Sequence, residues 1–406
     1  MKKLVSLILC AACLFAACAC TVSAPDPSGA DTPSGKTSEY VFDLGVTADN
    51  RFFETDDSIY CLSSSTGMNN ALDIIYFSDK ENKLWMPLCS RPNCSHRDEN
   101  CSARFESTLV NGIWIYGQHI YYLLDVDHIS DVELWRMGLD GSDHTKVLAL
   151  DLAPEGKEYA IEGYSAFFHN KYVVLDYTGE TGETLERFHW IVDLSAEQPE
   201  MKELVLKFEN GEVWDKYLSA FTGRGSMILF ANPDYELYKA DLEAGTIEKL
   251  CDLPYFADIA NMFYLNGDTL TVADGYDNGF IVSVDINTGE LKEVNSAEPK
   301  TNLWSRPYKD YIFGSMGSHN PEMWGTYIYD GSGELIKHIP HEEYEDKELR
   351  ILHAVGDYVF GSPIKNRVVQ RSEVPLWYID IREIGTDALA WHKWEKADFR
   401  PGSAQG

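Results

Sequence analysis

The phrase Leu134-Trp-Arg-Met-Gly-Leu-Asp-Gly141 decides the fold, because variants of it recur along the chain. Each copy is a short strand with an acidic residue at or near its end, and in most copies a turn containing glycine follows. Strong copies are Leu237-Tyr-Lys-Ala-Asp-Leu-Glu-Ala-Gly245, Phe280-Ile-Val-Ser-Val-Asp-Ile-Asn-Thr-Gly289, Thr326-Tyr-Ile-Tyr-Asp-Gly-Ser-Gly333 and Leu376-Trp-Tyr-Ile-Asp-Ile-Arg-Glu-Ile-Gly385. Weaker copies without the glycine are Ile74-Ile-Tyr-Phe-Ser-Asp79 and His189-Trp-Ile-Val-Asp-Leu194.

A second β-rich run precedes every copy of the phrase. These runs are Ser58-Ile-Tyr-Cys-Leu62, Ile120-Tyr-Tyr-Leu-Leu124, Tyr172-Val-Val-Leu175, Met227-Ile-Leu-Phe230, Thr269-Leu-Thr-Val272, Tyr311-Ile-Phe313 and Tyr358-Val-Phe360. Successive runs begin roughly 40 to 60 residues apart, which is the length of one four-stranded antiparallel propeller blade. The sequence therefore predicts an all-β protein, a β-propeller of seven blades, with six or eight blades as open alternatives.

The ring explains how such units become stable. One blade cannot bury both of its faces, whereas blades stacked around an axis bury nearly all of them. We expect strands from both ends of the domain to fasten the ring, with Glu39-Tyr-Val-Phe-Asp43 beside Ala390-Trp-His-Lys-Trp394. Aromatic residues of the repeat, such as Trp135, Tyr238 and Trp377, are predicted to pack in the core rather than to form a sugar-binding platform.

The first residues have the pattern of an export signal. Met1-Lys2-Lys3 is basic, and residues 4–17 are apolar and small. This run is shorter than the roughly 20 apolar residues that a spanning helix needs, so we interpret residues 1–17 as a cleaved signal peptide. Leu14-Phe15-Ala16-Ala17-Cys18 resembles the lipobox of bacterial lipoproteins, which predicts a lipid on Cys18. Phe15 departs from the usual leucine, which leaves Cys20 as a second acceptor and simple secretion as the alternative.

The remaining domain boundaries follow from composition. Residues 18–38 carry no aromatic side chain and are rich in Pro, Ser and Gly, which is typical of a disordered tether. We assign residues 39–395 to the propeller and residues 396–406 to a C-terminal tail. A lipid anchor would place this domain on the extracellular face of the cell membrane.

The net charge of −31 excludes one class of partner. Nucleic acids and anionic lipid surfaces are bound by clustered Lys and Arg, and the sequence contains no such cluster. We therefore expect no nucleic-acid ligand and attribute the acidity to solubility, with calcium or cationic ligands as the alternative.

The predicted propeller carries one unusual insertion, residues 89–101, between its first two blades. It contains Cys89, Cys94, His96 and Cys101. Three thiolates and an imidazole can hold zinc tetrahedrally, although the spacing differs from that of common zinc knuckles. Thiols outside the cell tend to oxidise, so we favour a disulfide among Cys61, Cys89, Cys94 and Cys101 and leave the zinc site and free thiols open.

The phrases Ile120-Tyr-Tyr-Leu123 and Leu134-Trp-Arg-Met-Gly-Leu-Asp-Gly-Ser142 carry a family resemblance. They look like the blades of TolB-like and low-density-lipoprotein-receptor-like propellers in exported lipoproteins of Gram-positive anaerobes. The resemblance covers nearly the whole chain after the tether and implies extracellular binding or scaffolding, with no assigned activity.

No catalytic residue is predicted. His341-Glu-Glu-Tyr-Glu345 has glutamate where a zinc protease needs its second histidine, and Gly314-Ser-Met-Gly-Ser318 does not satisfy the nucleophile-elbow pattern. We therefore favour a non-catalytic, surface-anchored binding or scaffold lipoprotein whose ligand is an unknown protein, peptide or glycan. The alternatives are an exported hydrolase or lyase on a propeller scaffold, and a structural subunit of a cell-envelope complex.

Overall fold

The computed structural model describes residues 52–397, except 66–71, 97–100, 106–108, 126–131, 152–159, 182–183, 219–221, 255–262, 274–280, 295–302, 317–323, 341–348, 366–367 and 370–373. The predicted signal peptide, Cys18, Cys20 and the predicted strand at residues 39–43 lie outside the described residues, as do residues 398–406. Within the described ranges, no helix is long and apolar enough to cross a membrane.

The chain folds into a seven-bladed β-propeller of four-stranded antiparallel blades, as the repeat predicts. Each blade is a meander whose four main strands follow one another in sequence. The strands of blade 1 are β1 (Phe52–Glu54), β2 (Ser58–Ser65), β3 (Leu72–Asp79) and β4 (Leu84–Pro87), and a short extra strand, β5 (Arg104–Phe105), pairs with β3. The strands of blade 2 are β6 (Leu109–Tyr116), β7 (His119–Asp125), β8 (Val132–Gly138) and β9 (Thr145–Leu150). Those of blades 3 and 4 are β10 (Ala160–His169), β11 (Tyr172–Thr181), β12 (Thr184–Asp193), β13 (Met201–Glu203), and β14 (Thr222–Arg224), β15 (Met227–Ala231), β16 (Glu236–Asp241), β17 (Thr246–Asp252).

The last three blades repeat the same order. Their strands are β18 (Phe263–Asn266), β19 (Thr269–Ala273), β20 (Ile281–Asp285), β21 (Leu291–Val294); β22 (Leu303–Tyr308), β23 (Tyr311–Met316), β24 (Gly325–Asp330), β25 (Leu335–Pro340); and β26 (Leu349–Val355), β27 (Tyr358–Lys365), β28 (Val368–Val369), β29 (Trp377–Asp380), β30 (His392–Lys393). A short 3-10 helix, Ile381–Glu383, follows β29, and β31 (Glu395–Lys396) is the last described strand. The seven β-rich runs of the sequence are the second strands of the blades, and the seven phrases are the third strands.

The acidic residue of the phrase has a structural role. In every blade an aspartate at the end of the third strand, or two residues after it in blade 2, accepts a hydrogen bond from the backbone N–H two residues further on. This bond closes the turn to the fourth strand. These aspartates are Asp79, Asp140, Asp193, Asp241, Asp285, Asp330 and Asp380. Part of the high acidity of the chain is therefore a consequence of the repeat.

In some copies of the phrase, the glycine packs closely against the preceding blade. At Gly289 φ is +72°, and a Cβ there would lie 2.3 Å from the backbone oxygen of Leu250 on the outer strand of the preceding blade. Gly141 stands in the same relation to Leu88, where a Cβ would lie 2.5 Å from the Leu88 oxygen. Only glycine combines the left-handed backbone with so close an approach.

The core lies between consecutive blades. Each buried cluster contains residues of adjacent blades, for example Phe230 and Tyr238 of blade 4 with Val174 of blade 3. Tyr238 is buried as predicted, and Trp135 and Trp377 are half-buried and pack against the core clusters. On β8 the inward positions belong to Val132, Leu134 and Met137, and the Trp135 indole instead donates to Glu133.

The C-terminal segment joins the last blade to the first. β30 is the fourth strand of blade 7, and β31 then pairs in parallel with β4, the outer strand of blade 1. Between them, Trp394 is fully buried and stacks on Trp85, with ring centroids 5.5 Å apart. Trp394 of the predicted segment 390–394 therefore packs in this junction, whereas the strand that pairs with blade 1 lies just after the segment, at Glu395–Lys396. The predicted N-terminal partner lies outside the described residues.

Candidate metal centre

The cysteine-containing insertion extends from the outer edge of blade 1, between β4 and β5. The chain leaves β4 at Pro87 and returns as β5, which pairs with β3 beyond the point where β4 stops. Ile75 of β3 joins the two ends of the insertion, Leu88 and Ala103, which we call the neck. Its N–H donates to Ala103 O at 3.0 Å, and its carbonyl accepts from Leu88 N at 2.8 Å. Leu88 and Ala103 are buried, so both ends of the insertion are fixed to the blade.

The insertion brings together the four residues that the sequence singled out. The sulfurs of Cys89, Cys94 and Cys101 and a ring nitrogen of His96 all lie within 4.8 Å of one another. His96 Nδ1 and Cys101 Sγ are 3.3 Å apart. The three thiols are not joined in disulfides, and Cys101 is buried while the other three residues are half-buried.

Each cysteine of the group sits in the same kind of turn. The backbone N–H of His96 donates to Cys94 Sγ at 3.4 Å. The backbone amides of Arg91 and Ala103 hydrogen-bond in the same way to Cys89 and Cys101. In all three cases the donor is two residues after the cysteine, so the backbone of the insertion is wrapped around the sulfurs.

The surroundings of Cys89, His96 and Cys101 shift their pKa values in different directions. Burial raises the pKa of the Cys89 thiol, but hydrogen bonds from the Ser102 hydroxyl and from the amides of Arg91 and Ser102 outweigh it and bring that pKa down to about 7. Burial raises the pKa of Cys101 to about 12 and lowers the pKa of His96. At neutral pH, Cys89 is therefore partly a thiolate and His96 is a neutral imidazole.

The other two described cysteines stand apart from this group. Cys61 is buried in β2, opposite Phe52 and Tyr76, in the cluster that also contains Trp85 and Trp394. Cys251 is half-buried in β17, where burial raises its pKa. The predicted disulfide set of Cys61, Cys89, Cys94 and Cys101 therefore divides into one core thiol and three clustered ones.

A second concentration of charge lies where turns of blades 1, 6 and 7 meet, around a cleft of about 550 Å³. Lys80 pairs with Glu54 at 2.8 Å, and Lys309 of blade 6 pairs with Asp357 of blade 7 at 3.1 Å. Lys83 donates to the Tyr378 hydroxyl at 2.8 Å. Because each of these three lysines already has a partner within the protein, we interpret the cleft as a junction between blades.

No protein-family model and no curated protein matches the chain. Solved structures match at low identity. The β-propeller domain of the Trilobed protease from Pyrococcus furiosus is 14% identical, with a TM-score of 0.44, over 90% of this chain and 98% of that one. TolB from Acinetobacter baumannii is 11% identical, with a TM-score of 0.32, over 69% of this chain and 62% of that one.

A peptidase is also among the matches. Acylaminoacyl peptidase from Pyrococcus horikoshii is 13% identical, with a TM-score of 0.43, and this chain spans 49% of its length. At these identities and TM-scores, the matches carry no inference about activity.

Proposed function

We propose that this chain is a non-catalytic binding or scaffold protein held on the extracellular face of the cell membrane by a lipid on Cys18, with Cys20 as the second acceptor. Its ligand is a protein, peptide or glycan. The observation that carries the proposal is a long connection, residues 204–218, that is fixed against the propeller and exposes apolar side chains.

Because each blade is a meander, its first and third turns lie at one face and its remaining connections at the other. The first turns are as short as Gly117-Gln118, and the third turns are closed by the aspartates described above. The opposite face carries longer connections, such as residues 204–221 between β13 and β14. Long connections on a rigid scaffold are where proteins place binding residues.

The connection 204–218 is the best described of these, and it is firmly held along blade 4, where the Lys207 N–H donates to Gly245 O at 2.9 Å. Trp214 is buried against Phe230 and Tyr238, with ring centroids 5.4 and 4.7 Å away. The N–H of Leu218 donates to the buried carboxylate of Asp176 at 2.5 Å. A loop fixed in this way loses little conformational entropy when it binds.

The same connection displays apolar side chains to solvent. Val213 is 48% exposed and Tyr217 is 39% exposed. Tyrosine supplies large contact area at low entropic cost, which is why it is enriched at binding surfaces. This connection is therefore the proposed contact region.

The test compares two matched pairs of exposed residues. Leu335 and Ile336 are 39% and 38% exposed, and they lie on the outer strand of blade 6. The chain from Thr21 onward, which carries no lipid, is titrated onto washed cell-envelope fragments of the source organism. We expect saturable binding that Val213→Ser with Tyr217→Ser weakens about tenfold, while Leu335→Ser with Ile336→Ser leaves it within about twofold.

Two results would contradict the proposal. One is equal binding by the two double variants, which would show that Val213 and Tyr217 do not form the contact region. The other is turnover of a glycan or peptide library by the purified wild-type chain at an enzymatic rate, which would show that the protein is catalytic.

A further inference from the structure

We propose that Cys89, Cys94, His96 and Cys101 bind one Zn²⁺ ion, which fastens the insertion to blade 1. This site does not depend on which ligand the propeller binds. Zinc takes four nitrogen and sulfur ligands in structural sites, at about 2.3 Å for sulfur and about 2.0 Å for nitrogen. A tetrahedron of that size places its ligand atoms about 3.5 Å apart.

The ligand atoms are already close to that arrangement. All four lie within 4.8 Å of one another, and His96 Nδ1 and Cys101 Sγ are 3.3 Å apart. Shifts of about 1 Å would therefore complete the tetrahedron. A set of three thiolates and one imidazole is characteristic of zinc, since soft sulfur ligands in tetrahedral geometry disfavour magnesium and calcium.

The backbone conformation of the insertion favours this arrangement of ligands. Asn93 and His96 have φ of +58° and +56°, a left-handed conformation that costs a residue other than glycine on the order of 1 kcal/mol. These two positions flank Cys94 and turn the chain so that its sulfur and the imidazole meet. The three N–H donors two residues after the cysteines are directed at the sulfurs and stabilise thiolates bound to a metal.

Little of the described part of the insertion is buried. In the described part of the insertion, Ser90, Arg91, Pro92, Asn93 and Ser95 are exposed, and the buried residues are Cys101 and the neck residues Leu88 and Ala103. A segment with so little buried apolar surface depends on a cross-link for a fixed conformation. A disulfide would join two of the three thiols and leave the third sulfur and the imidazole unused, whereas one metal ion uses all four.

The position of the site gives the metal a structural role. The Ser90 hydroxyl donates to the carbonyl of Gly141 at 3.3 Å, and Gly141 lies in the turn of blade 2 that packs on Leu88. Fixing the insertion therefore also fixes the junction of blades 1 and 2. Four protein ligands leave no open position for substrate, which is the mark of a structural rather than a catalytic zinc.

The experiment measures metal content on the full chain purified under anaerobic conditions with zinc present. We expect about one zinc per chain, with the thiols of Cys89, Cys94 and Cys101 released to a thiol reagent only after chelation. Cys94→Ser is expected to reduce the bound zinc to less than about one tenth. Cys251→Ser, a thiol outside the group, should leave it unchanged.

A second measurement covers the case in which Cys94→Ser does not fold. Chelation of the wild-type chain should increase cleavage within residues 90–100 at least about tenfold in limited proteolysis, and returned zinc should reverse the increase. Cobalt in place of zinc should give the visible absorption bands of a tetrahedral thiolate site. Absence of zinc while all thiols are reduced would overturn the proposal, and so would a disulfide within the group in the anaerobically purified chain.

Discussion

The indole Nε1 of Trp394 donates a 2.9 Å hydrogen bond to the Ser78 hydroxyl, which joins residues 316 positions apart in the chain. Ser78 and Trp394 are both fully buried. Trp85, which stacks on Trp394, donates in turn to the Pro375 carbonyl of blade 7 at 2.9 Å. Two buried indoles thus connect blade 7 to blade 1, where the ring has no covalent continuity.

Removal of the Trp394 side chain should open this junction. We expect Trp394→Ala to lower the free energy of unfolding by about 3–5 kcal/mol, because it leaves a large cavity beside Trp85. Trp394→Phe keeps most of the packing but loses the hydrogen bond to Ser78, and should cost about 1–3 kcal/mol. Urea unfolding measures both, with Leu335→Ala on the exposed strand β25 as the control, expected within about 0.5 kcal/mol of wild type. A Trp394→Ala variant as stable as the control would contradict closure at this point.

The contact between Gly289 and the preceding blade can be tested by substitution. Gly289 and Gly267 both have positive φ, +72° and +58°, but a Cβ at Gly267 would meet no atom within 4 Å. Gly267→Ala should therefore cost only the backbone strain, about 1–2 kcal/mol. Gly289→Ala adds the overlap with Leu250 and should cost a further 1–3 kcal/mol, roughly. Equal losses of unfolding free energy in the two variants would show that the contact between blades is dispensable.

Asp176 predicts a pH dependence of stability. Burial raises its pKa to about 6, against the partial compensation of the Leu218 amide and of Arg187. An acid with a raised pKa in the folded state stabilises the fold fully below its unfolded pKa near 4, and this contribution is lost as the pH rises through about 6.

Asp176→Asn keeps an acceptor for Leu218 N–H but does not ionise. Relative to this variant, the wild type should therefore lose on the order of 2–3 kcal/mol of unfolding free energy between pH 4 and pH 7. Urea titrations at several pH values measure the difference, and Asp387→Asn at an exposed position provides the control. A difference between wild type and Asp176→Asn that does not change with pH would argue against a raised pKa.

The sequence predicted the inner part of each blade more fully than its edges. The second strands are continuous buried runs such as Ile228–Phe230, and the third strands end at an aspartate that closes a turn, so both are visible locally. Outer strands such as Met201–Glu203 are short and mostly exposed, and their pairing depends on the neighbouring strand rather than on their own residues. Their boundaries were therefore not predictable.

The candidate metal centre was predictable by residue type but not by geometry. Three cysteines and a histidine indicated the ligand set, whereas the neck depends on β5 pairing with β3, a contact that spacing does not reveal. The anchored connection 204–218 was missed altogether. Its anchor, Asp176, lies at the end of a β-rich run, and nothing in the local pattern showed that the carboxylate is buried under a loop some forty residues later.

The proposed function rests on the attachment of the propeller to the membrane by an acylated cysteine. The most direct measurement is the mass of the N-terminal peptide of the protein extracted from the membranes of a bacterium that processes lipoproteins. The account predicts a peptide that begins at Cys18 and carries a diacylglyceryl group, or one that begins at Cys20 if the second acceptor is used. A mature protein that retains residues 1–17, or one whose first cysteine carries no lipid, would contradict it.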